Sequence, residues 1–157
     1  MLSKNDERGA ALSYKTKILI VDDEPVIIAS LLHYFTGKGF DVAATISSSL
    51  AVTSIAPHYF DVVITDYRMS PVDGLQLARH FRGADYKGKI VLISADCPLI
   101  ESEMKDAGID LFIEKPFDVS VICGQIKDWS GKRDLGVELP DIKNSGPKKN
   151  FGPYAQK

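Results

Sequence analysis

The feature that most constrains the fold of this chain is a set of short apolar runs that each lead directly into charged or hydroxyl-bearing residues. The runs cover residues 17–21, 61–65, 89–93 and 110–114. Continuous stretches of Ile, Val and Leu of this length are typical of strands buried on both faces of a parallel sheet. Because such a sheet binds its ligands at the carboxyl ends of its strands, the residues after each run are the first candidates for a site.

Acids, a hydroxyl and an amine occupy these positions: Asp22, Asp23, Asp66, Ser94 and Lys115. Carboxylates that are crowded together raise one another's pKa, and a hard cation such as Mg²⁺ (or Mn²⁺) relieves that repulsion. We expect Asp23 and Asp66 to bind the metal directly and Asp22 to bind it through water. The backbone carbonyl of Arg68 is a further candidate ligand.

The same groups suit phosphoryl transfer. An aspartate carboxylate can act as a nucleophile and become an acyl phosphate. Lys115 and the metal would neutralise charge on the transferred group, and the Ser94 hydroxyl would donate a hydrogen bond to one of its oxygens. Taken singly, a strand-end aspartate or Ser94 fits a helix cap, and Lys115 fits a surface charge. Because all four strand ends carry the required groups together, we favour a phosphoryl-transfer site over these separate structural roles.

Helical signals separate the strands. Pro25 suits the first turn of a helix with an apolar stripe, Asp73 can cap another, and a short strand is predicted over residues 40–45. Further helices are predicted over residues 47–56, before the last apolar run, and over residues 119–129. Strand and helix alternate, and right-handed crossovers then predict an α/β fold, with a parallel sheet covered by helices on both faces.

The composition narrows the function. With 45% hydrophobic residues and a net charge of −2, the chain has no surplus of basic charge for binding nucleic acid or a membrane surface. No apolar run approaches the roughly 18 residues that a membrane span requires. Cys97 and Cys123 show no metal-ligand spacing and are expected to be free thiols in a reducing compartment, which predicts a cytoplasmic protein.

One globular domain is predicted over residues 17–130. Residues 1–16 are polar and are expected to form a flexible N-terminal segment. Residues 131–157 are rich in Gly, Pro and Lys, lack apolar periodicity, and are expected to form a flexible polar tail. This tail shows neither helix-turn-helix periodicity nor a basic patch, so no DNA-binding output is expected from it.

In their order and spacing, these residues resemble the receiver domain of two-component response regulators. The resemblance rests on Ile-Val-Asp-Asp-Glu-Pro at 20–25, Val-Ile-Thr-Asp-Tyr-Arg-Met at 63–69, Val-Asp-Gly at 72–74, Ser-Ala at 94–95 and Lys-Pro-Phe at 115–117. No single motif is decisive, but the ordered set is highly specific. It covers residues 17–129, which is nearly the whole predicted domain.

The resemblance implies a flavodoxin-like fold, with five parallel strands in the order 2-1-3-4-5 and five helices on both faces. It implies that Asp66 accepts a phosphoryl group from a sensor histidine kinase or a histidine phosphotransfer protein. Ser94 and Lys115 would sense the phosphate, and Phe112 would be the switch aromatic that follows Ser94 inward on activation. The peptide bond between Lys115 and Pro116 would be cis.

The implied activity is that of a stand-alone switch similar to the chemotaxis regulators, which catalyses only its own phosphorylation and dephosphorylation. It would signal to a downstream target protein through the fourth helix, fifth strand and fifth helix, including residues 100–105 and 119–129. A phosphorylation-dependent homodimer through this face is a further expectation, whereas nucleic acid and membranes are not expected as partners. A piece of a longer regulator would show the same features.

The chain departs from the family pattern after the acceptor. Ser70 separates Met69 from Pro71, where proline usually follows methionine directly, and Arg68 places a bulky cation two residues beyond Asp66. A pseudo-receiver used only for protein interaction is one alternative, although it would not need the intact site. Metabolic enzymes of similar fold are disfavoured, because a dehalogenase-type phosphatase would carry aspartate at position 68. The glycine-rich or hydroxyl-rich phosphate loops of dinucleotide binders and flavodoxins are absent too.

Overall fold

A computed structural model of the chain describes residues 14–95, 101–134 and 148–150. The described strands are, in chain order, β1 (Lys17–Val21), β2 (Asp41–Thr45), β3 (Val62–Asp66), β4 (Lys89–Ser94), β5 (Leu111–Glu114) and β6 (Lys148–Asn150). The described helices are α1 (Pro25–Gly37), α2 (Ser48–Ser54), α3 (Gly74–Gly83), α4 (Glu101–Asp106) and α5 (Val119–Asp134), with a 3₁₀ turn at Pro57–Tyr59. Strands and helices alternate as the sequence predicts.

All pairs of neighbouring strands run parallel, in the order β2-β1-β3-β4-β5-β6. The predicted flavodoxin-like order of the first five strands is confirmed. The sixth strand was not expected, because Lys148–Asn150 lies in the segment predicted to be a flexible tail. Its sequence, Lys-Lys-Asn, has no apolar alternation that could have marked it as a strand. α5 likewise continues to Asp134, beyond the predicted boundary at residue 130.

The described residues before β1 also contact the domain. The Tyr14 hydroxyl donates to the Asp61 carboxylate, 2.9 Å from Oδ2, and the hydroxyls of Thr16 and Ser130 lie 2.8 Å apart. Residues 14–16 are therefore held against Asp61, directly before β3, and against α5. The rest of the two predicted flexible segments lies outside the described residues: 1–13, 135–147 and 151–157.

Apolar side chains form one core on each face of the sheet. Phe81 and Met104 belong to the core under α3 and α4, and Phe35 belongs to the core under α1 and α5. Burial on both faces explains why the strand sequences are continuously apolar. Cys123 is a buried free thiol in the second core, and Cys97 lies outside the described residues. Among the described helices, none has the length and apolarity needed to cross a lipid bilayer.

Prolines and polar caps begin the helices that follow the strands. Pro25 stands in the first turn of α1, as predicted. Asp73 and Gln76 form a capping box at the start of α3: Asp73 Oδ1 accepts from Gln76 N at 2.8 Å, and Gln76 Oε1 accepts from Asp73 N at 3.0 Å. Ser47 accepts a hydrogen bond from Leu50 N and begins α2. These caps define the loops at the carboxyl ends of the strands.

A network of charged side chains joins the amino ends of β4 and β5. The Asp110 carboxylate accepts from Arg82 Nη2 at 2.8 Å, Lys89 Nζ at 3.1 Å and the backbone N–H of Ile90 at 2.8 Å. The Arg82 guanidinium also donates to carbonyl oxygens of loop residues, at Tyr86, Gly88 and Gly108. Arg82 therefore connects the end of α3 to the loop before β4 and to the turn after α4.

Candidate functional site

Asp66 and Lys115 are the centre of a charged cluster at the carboxyl end of the sheet. Asp66 is the last residue of β3 and is 5% exposed, and Lys115 follows β5 directly. The Lys115 ammonium lies 2.8 Å from Asp66 Oδ1, while its backbone N–H donates to the Ser94 carbonyl at 2.8 Å. The register of β4 and β5 thus positions the lysine beside the aspartate.

Two more carboxylates surround the Lys115 ammonium. Asp22, which is 2% exposed, has its Oδ2 atom 3.8 Å from the ammonium, and Glu24 Oε1 lies at 3.1 Å. The backbone N–H of Glu24 donates to Asp22 Oδ1 at 2.8 Å and holds the buried side chain in place. The sequence did not predict the contact of Glu24 with Lys115. Its position as the third consecutive acid after β1 was the available signal.

The carboxylates are incompletely compensated by positive charge. Burial, helped by the negative charge of Asp66, raises the pKa of Asp22 to about 6 against the opposing effects of the Glu24 N–H and of Lys115. Burial by itself would lower the pKa of Lys115. Its hydrogen bonds to Asp66 and Glu24 outweigh burial and raise that pKa, so the amine is an ammonium at neutral pH. This end of the sheet therefore attracts additional positive charge.

Asp23 and Arg68 lie beside this cluster in an open cleft. The cleft has a volume of about 480 Å³, and its walls are Asp23, Tyr67, Arg68, Met69, Ser70 and Asp73. Asp23 and Arg68 are exposed, whereas Met69 is buried. The cleft gives solvent and small molecules a route towards the charged end of β3.

Two of the predicted metal ligands, Asp22 and Asp66, adjoin the same ammonium. Within the part of the chain that the structure describes, no three acidic, His or Cys side chains are close enough to hold an ion together. The Lys115 ammonium lies between two of the expected ligands, 3.8 Å from Asp22 Oδ2 and 2.8 Å from Asp66 Oδ1. Mg²⁺ needs only one or two carboxylates beside water and phosphate oxygens. The donor chemistry of Asp22 and Asp66 therefore fits this cation.

Ser94 and Phe112 share one face of the sheet. Ser94 is paired with Glu114 across β4 and β5, and Leu92 is paired with Phe112, so the two side chains are diagonal neighbours on the same face. Both are 1% exposed, and Phe112 belongs to the same core cluster as Met104 of α4. The aromatic side chain of Phe112 lies inside the fold in this structure.

The loop after Asp66 packs directly against the start of α3. The backbone N–H of Tyr67 donates to the Ile93 carbonyl at 2.7 Å, and the Tyr67 carbonyl accepts from Gly74 N at 2.9 Å. A Cβ atom on Gly74 would overlap the Asp66 carbonyl oxygen and stand 2.7 Å from Leu92 Cδ1. Only glycine fits this position. The sequence did not predict this close packing at Gly74, although Gly74 directly follows the capping Asp73.

The departure from the family pattern at Ser70 is accommodated within this loop. The Ser70–Pro71 peptide bond is cis, and the backbone N–H of Val72 donates to the Ser48 hydroxyl of α2 at 3.3 Å. The Lys115–Pro116 peptide bond is also cis, as the resemblance implies. The additional residue therefore leaves the loop attached to α2 and α3.

Comparison with known proteins agrees with the fold. The model of the response regulator receiver domain family matches residues 18–127. Because the match covers more than half of the chain, this protein belongs to the receiver domain family of two-component response regulators.

The curated relatives include transcriptional regulators. The transcriptional regulatory protein KdpE of Mycobacterium tuberculosis is 29% identical over 124 residues, which are 79% of this chain and 55% of KdpE. The C4-dicarboxylate transport transcriptional regulatory protein DctD of Pseudomonas aeruginosa is 28% identical over 131 residues, 82% of this chain and 28% of DctD. The chain thus spans about half the length of KdpE and less of DctD.

Solved receiver structures superimpose on the chain. The crystal structure of FixJ-N has 31% sequence identity and a TM-score of 0.65, covering 75% of this chain and 95% of FixJ-N. The chemotaxis protein CheY4 of Vibrio cholerae has 22% identity and a TM-score of 0.67, covering 73% of this chain and 98% of CheY4. At this sequence identity, the similarity to CheY4 concerns the fold alone.

Proposed function

We propose that this protein is a phosphorylation-dependent signalling switch in which Asp66 accepts a phosphoryl group from a phosphohistidine. The observation that carries the proposal is the buried Asp66 carboxylate at the end of β3, held 2.8 Å from the Lys115 ammonium. A second buried carboxylate, Asp22, adjoins this pair. Membership of the receiver family implies a sensor histidine kinase or a histidine phosphotransfer protein as the donor.

In the transfer, an Asp66 carboxylate oxygen forms a bond to phosphorus while the bond from phosphorus to the histidine nitrogen breaks. The nitrogen keeps the electron pair, and the product is an acyl phosphate. Lys115 already contacts Asp66 Oδ1, so its ammonium would pair with the oxygens of a phosphoryl group attached there. Hydrolysis of the acyl phosphate by water would return the carboxylate and end the signal.

Asp22, Asp23 and Asp66, with the backbone carbonyl of Arg68, would hold Mg²⁺ or Mn²⁺, which would neutralise charge on the phosphoryl oxygens. The low solvent exposure of Asp22 and Asp66 favours this proposal, since buried carboxylates need nearby positive charge. The Lys115 ammonium faces three carboxylates, those of Asp22, Glu24 and Asp66.

The conformational response would pass from Ser94 to Phe112. A phosphoryl group on Asp66 would accept a hydrogen bond from the Ser94 hydroxyl, and Phe112 is a diagonal neighbour of Ser94 on the same sheet face. Phe112 lies in one core with Met104 of α4, so its movement would alter the packing of that helix. We infer that α4, β5 and α5 form the surface for a downstream target protein or for a phosphorylation-dependent homodimer.

Intact-mass spectrometry tests the proposal. The protein is incubated with Mg²⁺ and a small-molecule phosphodonor and is compared with Asp66→Asn, which keeps the shape of the side chain. We expect the native chain to gain one phosphoryl group, Asp66→Asn to gain none, and a metal chelator to prevent the gain.

The alternative is a pseudo-receiver that only binds other proteins, and the same experiment discriminates between the two. A native chain that gains no phosphoryl group from any donor tried, with its circular dichroism spectrum unchanged, would support the pseudo-receiver. A gain that persists in Asp66→Asn would assign the acceptor to another residue.

Arg68 is expected to lengthen the life of the acyl phosphate, because it is a bulky cation on the cleft that leads to the charged cluster. Replacing it by alanine should speed the loss of the phosphoryl group several-fold, as measured by intact mass after removal of the donor. Arg79→Ala, an exposed arginine on α3, is the matched control and should decay at the native rate. Equal decay of Arg68→Ala and native protein would remove Arg68 from the mechanism.

A further inference from the structure

A short strand covers the edge of the sheet next to β5. Lys148–Asn150 pairs in parallel with β5, and the register places Lys148 opposite Leu111, Lys149 opposite Phe112 and Asn150 opposite Ile113. In the described part of the chain, β6 rather than β5 is therefore the outer strand on this side of the sheet. The backbone groups of β5 that face away from β4 are paired within the same molecule.

Without β6, the outer edge of β5 would be exposed. Its sequence, Leu-Phe-Ile-Glu, is apolar and rich in residues that favour strands. An unpaired apolar edge strand presents a row of free N–H and C=O groups on which the strand of another molecule can pair. A two-fold symmetric pair of molecules would join two such edges in the antiparallel sense.

The strand that covers β5 is itself poorly suited to being extended. It is three residues long, it contains two lysines, and Pro147 directly precedes it in the sequence. Short length, lysine and proline are the features by which natural sheets prevent pairing at their edges. With β6 outermost, the exposed edge of the sheet is therefore less able to pair with another strand than the β5 edge would be.

We propose that Lys148–Asn150 is an intramolecular cap that prevents the β5 edge from pairing with the β5 edge of a second copy of this chain. The cap pairs with residues 111–113 of β5, which is one of the elements of the inferred output surface. Residues 135–147 connect it to α5, a longer connection than the two to six residues usual in α/β units. The proposal does not depend on phosphorylation of Asp66.

Proline substitutions in the full-length chain test the cap. In a parallel pair, alternate residues of a strand direct their N–H groups to a given neighbour, so Lys148→Pro or Lys149→Pro removes a donor towards β5. Lys148→Ala and Lys149→Ala are the matched controls, because they remove the same charge and keep the N–H. All are measured without a phosphodonor, by amide hydrogen exchange and by sedimentation velocity over a range of protein concentrations.

We expect one proline variant to speed exchange at those amides of residues 111–113 that do not bond to β4, by about tenfold or more. The same variant should form a dimer as concentration rises, whereas the native chain and both alanine variants stay monomeric. A chain shortened to end at Asp134 should behave like that proline variant, and one ending at Asn150 like the native chain. Native exchange rates in both proline variants, or faster exchange without a dimer, would overturn the proposal.

Discussion

The two ends of the sheet use their charged residues differently. At the amino end, the Asp110 carboxylate is paired with two cations, Arg82 and Lys89, and with a backbone N–H. At the carboxyl end, the single ammonium of Lys115 faces three carboxylates, those of Asp22, Glu24 and Asp66. The amino end is compensated and supports the fold, whereas the carboxylates around Lys115 outnumber its ammonium, which favours the approach of a further cation.

The two ends of the sheet also differ in how well their carboxylates are stabilised. The raised pKa of Asp22 indicates a charge that the folded state tolerates at a cost. At the amino end the Asp61 carboxylate, like that of Asp110, accepts several donors, including the Tyr14 hydroxyl and the backbone N–H of Lys17. Mutations at the two ends should therefore separate stability from activity.

The largest loss of stability is expected from Arg82→Ala. This change removes the guanidinium that joins Asp110 to the loop carbonyls, and it leaves their oxygens without those donors. The free energy of unfolding, measured in urea, should fall by about 3 kcal/mol. Arg82→Lys keeps the charge without the planar fork and should recover only part of the loss. A loss below about 1 kcal/mol in Arg82→Ala would contradict a structural role for the amino-end network.

A smaller loss, with a loss of activity, is expected from Gly74→Ala at the carboxyl end. The new methyl group must displace the Asp66 carbonyl or Leu92, so the free energy of unfolding should fall by about 2 kcal/mol and phosphorylation of Asp66 should slow. Gly83→Ala, at the other end of the same helix, meets no atom within 4 Å and should be neutral or slightly stabilising. Equal behaviour of the two alanine variants would contradict the close packing at Gly74.

A gain in stability of about 1 to 2 kcal/mol at pH 7 in metal-free buffer is expected from Asp22→Asn. The amide keeps an acceptor for Glu24 N–H and removes the buried charge. Because the pKa of Asp22 in the folded state, about 6, exceeds the ordinary aspartate pKa of 3.8, the native protein should gain stability as pH falls from 6 to about 4. The variant should lack that gain.

Asp61→Asn is the control at the amino end and should lose stability at pH 7. Urea titrations of both variants across this pH range provide the measurement. A loss of stability in Asp22→Asn at pH 7 would contradict the view that the carboxyl end retains uncompensated charge.

Much of the fold and part of the site could be predicted from local sequence. Strands buried on both faces have continuous apolar runs, and the residues that end those runs necessarily meet at one edge of a parallel sheet. Asp66 and Lys115 were placed together for this reason. The caps at Pro25 and Asp73 were predictable because they depend on neighbouring residues only.

The remaining features depend on pairs of residues that are distant in sequence. Arg82 and Asp110 are separated by 28 positions, and no local pattern marks them as partners. The requirement for glycine at position 74 arises from the backbone of another strand, and β6 is defined by its pairing with β5. Asp23 could be assigned to the site by its position, but whether its carboxylate reaches Asp66 depends on side-chain orientation.

The most direct test compares two matched substitutions, Asp66→Asn and Asp110→Asn, for both urea unfolding and phosphoryl gain by intact mass. Asp66→Asn should stay within about 1 kcal/mol of native stability, since Lys115 keeps Asp22 and Glu24 as partners, and should gain no phosphoryl group. Asp110→Asn should lose about 2 kcal/mol or more and should be phosphorylated like the native chain. Asp66→Asn that still gains a phosphoryl group, or Asp110→Asn that is as stable as the native chain, would contradict the division between an active carboxyl end and a structural amino end.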